Sequence, residues 1–195
     1  ASSDWQAHIA PDWGSYSHSD LALLLDGFPE LELQEISKQN TYKLSYYTPI
    51  LSDHKELLSK LQRKLLDSEI NASLNWSIDE QTKRGLLDIL PACATKRHAI
   101  EFLMRNLGYS HDNTVFSGDS GNDLPVLISA IPSILVRNAS NDIKREAEKM
   151  AKDANTEKAL YLAQRGLKEM NGNYAAGILE GLAHYHPEIT ALLEH

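Results

Sequence analysis

The second half of the chain alternates between short apolar runs and longer stretches in which apolar residues recur with helical spacing. The run that begins at Val115 and the run Ile131–Val136 are rich in β-branched and aromatic residues, which predicts two buried strands. Helices are predicted over 96–107, 124–130, 141–152 and 156–170, and a last amphipathic stretch ends near residue 182. Because alternating helices and apolar strands are typical of βαβ units, this half predicts a parallel sheet covered by helices.

The first half combines strand-like segments with one long amphipathic helix. Alternation over Thr41–Thr48 predicts a strand that Pro49 ends, and Asn71–Ile78 and Gly85–Leu90 predict two more. A helix is predicted to begin at Asp53, because leucines follow it at i, i+3 and i+4 spacing: Leu57, Leu58, Leu61, Leu65 and Leu66. These elements predict a small α+β module.

The change of pattern between the halves predicts two domains. We place the α+β module at residues 1–85 and the parallel-sheet region at residues 86–195. A chain of 195 residues, 42% of them hydrophobic, is long enough to bury a core in each. Ahead of the first long strand, Ser19 and Asp20 predict the start of a capped helix, and residues 31–36 predict a short strand or helix.

The composition limits the classes of partner. The formal net charge is −8, which argues against nucleic acid, because binding to a phosphate backbone requires clustered lysine and arginine. No apolar run approaches the roughly 18 residues that a membrane span requires, and no secretory signal pattern is visible. The single cysteine, Cys93, excludes an internal disulfide and fits a reducing compartment. We therefore expect a cytoplasmic protein that binds neither membrane nor nucleic acid.

Residues that could bind a metal ion or take part in catalysis are concentrated where the strand that begins at Val115 ends. Two carboxylates, Asp119 and Asp123, stand within a short polar segment, and an apolar helical pattern resumes directly afterwards. Ligands of open α/β sheets bind at the carboxyl ends of strands, so this loop is a candidate site. Gly118 and Gly121 allow a sharp turn and a close approach of the backbone to a ligand. The carboxylates offer the hard oxygen ligands that Mg²⁺ prefers, with waters and a substrate phosphate completing its shell.

A simpler interpretation of this loop is an acidic helix cap, with Asp119 or Ser120 as the N-cap residue. The whole segment, Gly118-Asp119-Ser120-Gly121-Asn122-Asp123, resembles the fourth signature motif of the haloacid dehalogenase (HAD) superfamily, in the form found in its Mg²⁺-dependent phosphatases. The resemblance implies that Asp119 and Asp123 are catalytic residues that bind Mg²⁺. It also implies contacts to phosphate or sugar for Ser120 and Asn122.

Two further residues are candidates for the same site. Lys96 opens a predicted helix 23 residues before Asp119, so a βαβ unit would bring its ammonium group to the same sheet edge, where it would neutralise a phosphoryl group. Taken alone, it would be a solvated surface lysine. The segment Leu87–Pro91 followed by Lys96 resembles the segment that holds the catalytic third-motif lysine in the sugar-phosphatase branch of the superfamily, although this chain has Arg97 where that branch usually has glycine. Asn138 follows the next predicted strand, and the resemblance implies a phosphate contact for it, with helix capping as the alternative.

The first module contains candidate sugar-binding residues. Tyr42–Tyr47 resembles the strand of the cap domain that contacts the sugar in sucrose-phosphate phosphatases. Because side chains alternate along a strand, Lys43 and Ser45 would share one face and point at a polyol. A solvent-facing strand edge is an equally good interpretation. Weaker candidates with the same alternation are Asn75, Ser77 and Asp79.

One signature motif of the family is missing from this sequence. HAD phosphatases carry an Asp-x-Asp motif near their start, whose first carboxylate attacks phosphorus and whose second protonates the leaving oxygen. No Asp-x-Asp occurs in this sequence, and the second-motif Ser/Thr segment has no convincing match. We therefore expect a C-terminal portion of a longer polypeptide, inactive alone, with the missing N-terminal segment as its partner. A parallel sheet without its nucleophile strand would expose an edge, so a homodimer or aggregation is also expected.

Three functions compete. The favoured one is a HAD-type, Mg²⁺-dependent phosphatase that hydrolyses a sugar phosphate such as sucrose 6-phosphate through an aspartyl-phosphate, with a HAD-like Rossmannoid core, a partial parallel sheet and a small α+β cap domain. The second is a non-catalytic binding or regulatory module, similar to the phosphatase-like domain at the end of sucrose-phosphate synthases. The third is a phosphoryl-accepting receiver domain, which the order of residues opposes, because receivers place their acidic pair first and their lysine last.

Overall fold

Two sheets of different kinds organise the chain. The computed structural model describes residues 3–50, 54–166 and 170–192, and the chain divides into two units, Ala1–His98 and Ala99–His195. The sheet of the first unit is antiparallel, and the sheet of the second is parallel. The α+β module and the parallel sheet that the sequence predicts therefore fall in separate units.

The first unit packs one long helix on a four-stranded sheet. Its strands are β1 (Glu32–Leu33), β2 (Leu44–Thr48), β3 (Ala72–Asp79) and β4 (Arg84–Pro91), and its helices are α1 (Ser3–Ile9), α2 (His18–Leu24) and α3 (His54–Asp67). The strand order is β1-β2-β4-β3, so β2 and β4 are central. One face of the sheet forms the core with α3, and its buried residues include Leu44, Leu57, Leu61, Leu65, Leu87 and Ile89. Because alternate residues of each strand point to opposite sides, the other face carries polar residues such as Ser45, Asn75 and Asp88 beside apolar ones such as Leu86 and Leu90.

The start of α2 differs from the prediction. The capping residue is Ser17, whose hydroxyl accepts a hydrogen bond from the backbone N–H of Asp20 at 3.2 Å, while the Asp20 carboxylate accepts from the backbone N–H of Ser17 at 2.8 Å. This capping box satisfies donors at the helix start that a cap at Ser19 would leave open. The predicted helix start at Asp53 lies outside the described residues, and the described helix begins at His54.

The second unit packs helices on a three-stranded parallel sheet. Its strands are β5 (Phe116–Gly118), β6 (Ser133–Leu135) and β7 (Leu160–Leu162), in the order β5-β6-β7. The helices of this part of the chain are α4 (Lys96–Leu107), which begins before the division between the units, α5 (Leu124–Leu127), α6 (Asn141–Asp153), α7 (Tyr174–Tyr185) and α8 (Glu188–Leu192). The buried side chains of Leu127, Ile134 and Leu135 lie at the centre of its apolar clusters. All three strands are parallel, so their carboxyl ends meet at one edge of the sheet.

The prediction of a helix over 156–170 is wrong. The segment contains a short 3₁₀ turn followed by β7, which pairs in parallel with β6 in the register Ser133↔Leu160. The Thr156 hydroxyl donates to the carbonyl of Ile128 at 2.8 Å, which attaches the start of the segment to the neighbouring layer. Residues 167–169 lie outside the description. Tertiary pairing therefore overrides the helical spacing of the apolar residues.

The division between the units lies beyond the predicted boundary at 85/86. β4 pairs with β2 in the register Ser45↔Asp88 and with β3 in the register Asn75↔Asp88, so it is an interior strand of the first sheet. Residues 84–91 therefore cannot leave the first unit without breaking that sheet. The assignment of the two units as cap and core remains a prediction.

Glycines let α7 lie close to the parallel sheet. A Cβ built on Gly181 would lie 2.3 Å from Cγ1 of Ile134 in β6, and one built on Gly177 would lie 2.1 Å from the backbone oxygen of Gly172. Both distances are far below van der Waals contact. Gly181 therefore sets the separation between α7 and the central strand β6, and Gly177 sets the separation between α7 and the turn before it. The hydroxyl of Tyr185, at the other end of the helix, donates to the carbonyl of Ala159 at 2.7 Å.

Gly177→Ala is expected to lower the free energy of unfolding by about 2 kcal/mol, because the new methyl group meets backbone rather than a movable side chain. The gain of up to about 1 kcal/mol in helix propensity is smaller than this clash. Gly27→Ala is the matched control: nothing lies within 4 Å of its Cβ position, so its effect should stay within about 0.5 kcal/mol. Urea denaturation measures both, and equal midpoints for the two variants would show that α7 is not packed as described.

Among the described residues, no helix combines the length and the apolarity that crossing a membrane demands.

Candidate functional site

The loop between β5 and α5 folds around the carboxylate of Asp123. This side chain is only 5% exposed, and its Oδ2 accepts three hydrogen bonds from its own loop. The backbone N–H groups of Asp119 and Ser120 donate to it, each at 3.1 Å, and the Ser120 hydroxyl donates at 2.9 Å. Three donors on one oxygen fix the carboxylate in place at the carboxyl end of β5.

The interpretation of this loop as an acidic helix cap is therefore correct for Ser120 and Asp123. Ser120 is the N-cap of the 3₁₀ turn Gly121–Asp123, and Asp123 closes the capping box. Capping gives no role to Asp119, whose side chain is exposed. The same geometry that caps the turn thus places a second carboxylate in the open beside it.

Gly118 is required by the position of Asp123. A Cβ at this residue would lie 2.6 Å from both Cβ and Cγ of Asp123 and 2.7 Å from its Oδ2. The Asp123 side chain occupies the space that any other residue at 118 would fill. The glycine that the sequence offers for a sharp turn therefore serves mainly to admit this carboxylate.

Asn138 connects the acidic loop to the helix α7. It follows β6 at the same sheet edge, and its Nδ2 donates to Asp119 Oδ2 at 3.2 Å. Its Oδ1 accepts from the backbone N–H of Tyr174, the first residue of α7, at 2.8 Å. The structure thus brings together Asp119, Asp123, Ser120 and Asn138, as the sequence predicts. Tyr174 is the neighbour that sequence reasoning missed.

Two other predicted site residues, Asn122 and Lys96, are exposed. Asn122 is the middle residue of the 3₁₀ turn Gly121–Asp123. Lys96 is the first residue of α4 and belongs to the first unit. The roles of these two residues in phosphate binding remain predictions.

In the first unit, Lys43 and Ser45 meet at Asp88. The Lys43 ammonium lies 3.0 Å from Asp88 Oδ2, and the Ser45 hydroxyl donates to Asp88 Oδ1 at 2.6 Å. Ser45 is completely buried, so it holds Asp88 rather than facing solvent, whereas Lys43 and Asp88 are each about one-third exposed. Sequence reasoning missed Asp88, although its position as the one charged residue within Gly85–Leu90 was a usable signal.

Two of the weaker candidates on β3 lie on the exposed face of the sheet, and the third stabilises the turn that follows the strand. Asn75 and Ser77 are exposed on this face, and Asn75 lies opposite Asp88. Asp79 closes the turn to β4, because its carboxylate accepts from the backbone N–H of Gln81 at 2.9 Å and from the Thr82 hydroxyl at 2.8 Å. These hydrogen bonds hold its pKa below the usual value.

The cysteine shows no sign of reactivity. Burial, together with the neighbouring Asp12 carboxylate, raises the pKa of Cys93 to about 11, so the thiol is protonated near neutral pH. The described residues also contain no group of three or more His, Cys, Asp or Glu side chains arranged to hold a metal ion. The acidic loop supplies two carboxylates, those of Asp119 and Asp123, and a metal role for them remains a prediction.

Comparison with protein families decides the affiliation of the chain. The model of the sucrose-6F-phosphate phosphohydrolase family matches residues 1–186. The chain belongs to this family. The resemblance to HAD-type sugar phosphatases that the sequence predicts is thus confirmed at the level of the family.

Individual relatives agree with the family. A protein of Nitrosococcus oceani named as a HAD-like hydrolase is 47% identical over 191 residues, which cover 98% of this chain and 51% of the relative. Sucrose-phosphatase 1 of Nicotiana tabacum is 28% identical over 187 residues, covering 93% of this chain and 39% of the relative. The chain thus spans about half the length of the first relative and less of the second.

A solved structure confirms the predicted fold class. The sucrose-phosphatase of Synechocystis, solved in complex with sucrose and phosphate, superposes with a TM-score of 0.65 at 24% sequence identity, covering 94% of this chain and 67% of that one. At this identity the likeness concerns the fold alone. It supports an α/β protein of the HAD-like fold, in which a parallel-sheet unit accompanies an α+β unit of similar length.

Proposed function

We propose that this chain supplies the metal-binding and phosphate-binding part of a Mg²⁺-dependent phosphatase that hydrolyses a sugar phosphate similar to sucrose 6-phosphate. The observation that carries the proposal is the loop at the carboxyl end of β5, where Asp123 is fixed by three hydrogen bonds and Asp119 stands exposed beside it. The family of the chain and the name of its tobacco relative support the substrate class.

The donor set of the loop fits Mg²⁺. This ion is usually held by one or two carboxylates, with waters and substrate phosphate oxygens in the remaining positions. Asp119 and Asp123 would hold it, and Gly118 leaves the room that the Asp123 side chain occupies. When bound, the ion supplies positive charge that stabilises the charge of a transferring phosphoryl group.

The remaining candidate residues take supporting roles in this proposal. Asn138 orients Asp119 through its 3.2 Å hydrogen bond. Ser120 and Asn122 lie on the loop that would face the phosphate. Lys96 would neutralise a phosphoryl oxygen, and Lys43, held by Asp88, would donate to a sugar hydroxyl.

The attacking group is proposed to come from outside these 195 residues. A carboxylate of that segment would attack phosphorus as the ester P–O bond breaks, and the leaving sugar oxygen would take a proton from a neighbouring acid. Water would then hydrolyse the resulting aspartyl-phosphate. β5 stands at one end of the strand order β5-β6-β7, so the segment, or a second copy of the chain, would find an open strand edge there. The single cysteine leads us to assign this activity to the cytoplasm.

Metal binding by the chain alone tests this proposal without needing the missing carboxylate. On titration with MgCl₂, the backbone amide signals of residues 118–123 and the side-chain amide of Asn138 are expected to shift, and to return when EDTA is added. Signals of the first unit's turn at Asp79 serve as the internal control and should not move. Shifts spread evenly over acidic surface residues, or none at all, would contradict a magnesium site in this loop.

A further inference from the structure

The first residue of α7 stands beside the proposed phosphate site. Tyr174 donates its backbone N–H to Asn138, and Asn138 donates to Asp119, so two hydrogen bonds of 2.8 and 3.2 Å connect Tyr174 to an exposed site carboxylate. All three residues belong to the second unit and lie at the edge where β5 and β6 end. No other aromatic residue among those described has this connection to Asp119.

The segment that presents Tyr174 is firmly attached to the sheet. The backbone N–H of Arg137 donates to the carbonyl of Gly172 at 2.9 Å, and the Arg137 guanidinium donates to the carbonyl of Asn171 at 3.0 Å. The backbone N–H of Asn173 donates to the side chain of Asn171 at 2.9 Å, which closes a tight turn before the helix. Because the segment is held from several sides, the ring at 174 is presented on a fixed support.

A tyrosine is unexpected at position 174, because the backbone there adopts a conformation that favours glycine. Tyr174 has a φ of +47°, a left-handed conformation that glycine adopts readily and other residues adopt only with strain. Its side chain is 69% exposed, so burial of the ring does not offset the strain. Strained residues of this kind cluster at ligand sites, where the surrounding structure holds them in place.

We propose that Tyr174 is a specificity-determining residue whose ring packs against the sugar of the phosphorylated substrate. An exposed aromatic ring presents an apolar face to the C–H face of a sugar ring, and its hydroxyl adds a hydrogen bond at the rim. The position suits this role, since Tyr174 is joined to Asp119 through Asn138 by two hydrogen bonds. The inference rests on the proposed function and adds to it a contact within the second unit.

Tyr174→Gly separates ligand binding from stability. Glycine keeps the backbone N–H that binds Asn138 and removes the strain at φ +47°, so the melting temperature is expected to stay equal or rise. The affinity for sucrose 6-phosphate in the presence of MgCl₂ is expected to fall about three- to tenfold, the range of one aromatic packing contact. The affinity for inorganic phosphate should change less than about twofold, because the phosphate site is untouched. A ring with only a structural role would give the opposite pattern, a lower melting temperature with sugar-phosphate affinity intact.

Two further variants serve as controls for the Tyr174→Gly experiment. Tyr174→Phe keeps the ring and should retain most of the affinity for sucrose 6-phosphate. Tyr109→Ala removes another exposed aromatic side chain of the same unit, 54% exposed, and should leave both affinities unchanged. NMR titration of the full chain with each probe gives the dissociation constants.

The outcomes distinguish this inference from the proposed function. Inorganic phosphate binding with Mg²⁺, together with equal sucrose 6-phosphate affinity in wild type and Tyr174→Gly, would overturn the role of Tyr174 and leave the phosphate site standing. Absence of binding by either probe to the wild-type chain would overturn both. A loss confined to sucrose 6-phosphate in Tyr174→Gly, at unchanged or higher melting temperature, supports the inference.

Discussion

Asp119→Asn is expected to lower the affinity of the chain for Mg²⁺ by about 100-fold or more. Loss of a residue that merely orients a metal ligand typically reduces affinity about 10- to 100-fold, and a direct ligand should contribute at least as much. Asparagine keeps the size of the side chain and can keep a hydrogen bond to Asn138, so the change is mainly one of charge. Because Asp119 is exposed, the free energy of unfolding should stay within about 0.5 kcal/mol of the wild type.

The control for this variant is Asp112→Asn, which neutralises an exposed carboxylate of the same unit, in the 3₁₀ turn His111–Asn113. Both variants change the net charge of the chain equally, so a general electrostatic effect would affect them alike. NMR titration with MgCl₂ gives the two affinities. Equal affinities in the two variants would mean that Mg²⁺, if it binds, is held by the overall negative charge and not by the loop.

Gly118→Ala is expected to lower the free energy of unfolding by about 2–4 kcal/mol. The added methyl group would lie 2.6 Å from two atoms of Asp123, so that side chain must leave its position. Its three hydrogen bonds from Asp119 and Ser120 would then be lost, and a buried carboxylate would be left without them. The response to Mg²⁺ should disappear along with the loop geometry.

Gly121→Ala provides the matched control in the same loop. The nearest atom to its Cβ position is Cδ1 of Ile143 at 3.4 Å, an ordinary contact with the end of a side chain. Its effect on unfolding should stay within about 0.5 kcal/mol, and Mg²⁺ binding should persist. Urea denaturation and MgCl₂ titration of the pair measure both quantities. If Gly118→Ala behaved like Gly121→Ala, the close packing of Asp123 against residue 118 would be refuted.

Two long helices and the strands of the first unit were predictable from the sequence, whereas the short strand β7 was not. The helix predicted over 96–107 begins and ends at those residues, and the one over 141–152 extends one residue further, because their apolar residues repeat over several turns. β7 is only three residues long, and its strand conformation comes from pairing with β6. No local pattern in Leu160–Leu162 distinguishes it from one turn of a helix.

The candidate site residues also differ in how far the sequence alone predicts them. The acidic loop could be predicted because its residue types and spacing are unusual by themselves. The burial of Ser45 against Asp88 could not, since it depends on the register between β2 and β4. Tyr174 was also out of reach, because it lies 55 residues after Asp119 in sequence and approaches it only through Asn138. Residues that follow neighbouring parallel strands could be placed together from the sequence, whereas contacts set by strand register or by a distant helix start required coordinates.

The most direct test of the central claim is the release of phosphate from sucrose 6-phosphate, measured with MgCl₂ and with EDTA. The chain alone should be inactive, and supplying a separate segment that carries an Asp-x-Asp motif should produce activity that EDTA removes. Asp119→Asn in that complemented protein should be inactive. No activity after complementation would contradict a phosphatase and favour a binding module, whereas turnover by the isolated chain would show that the attacking group lies within these 195 residues.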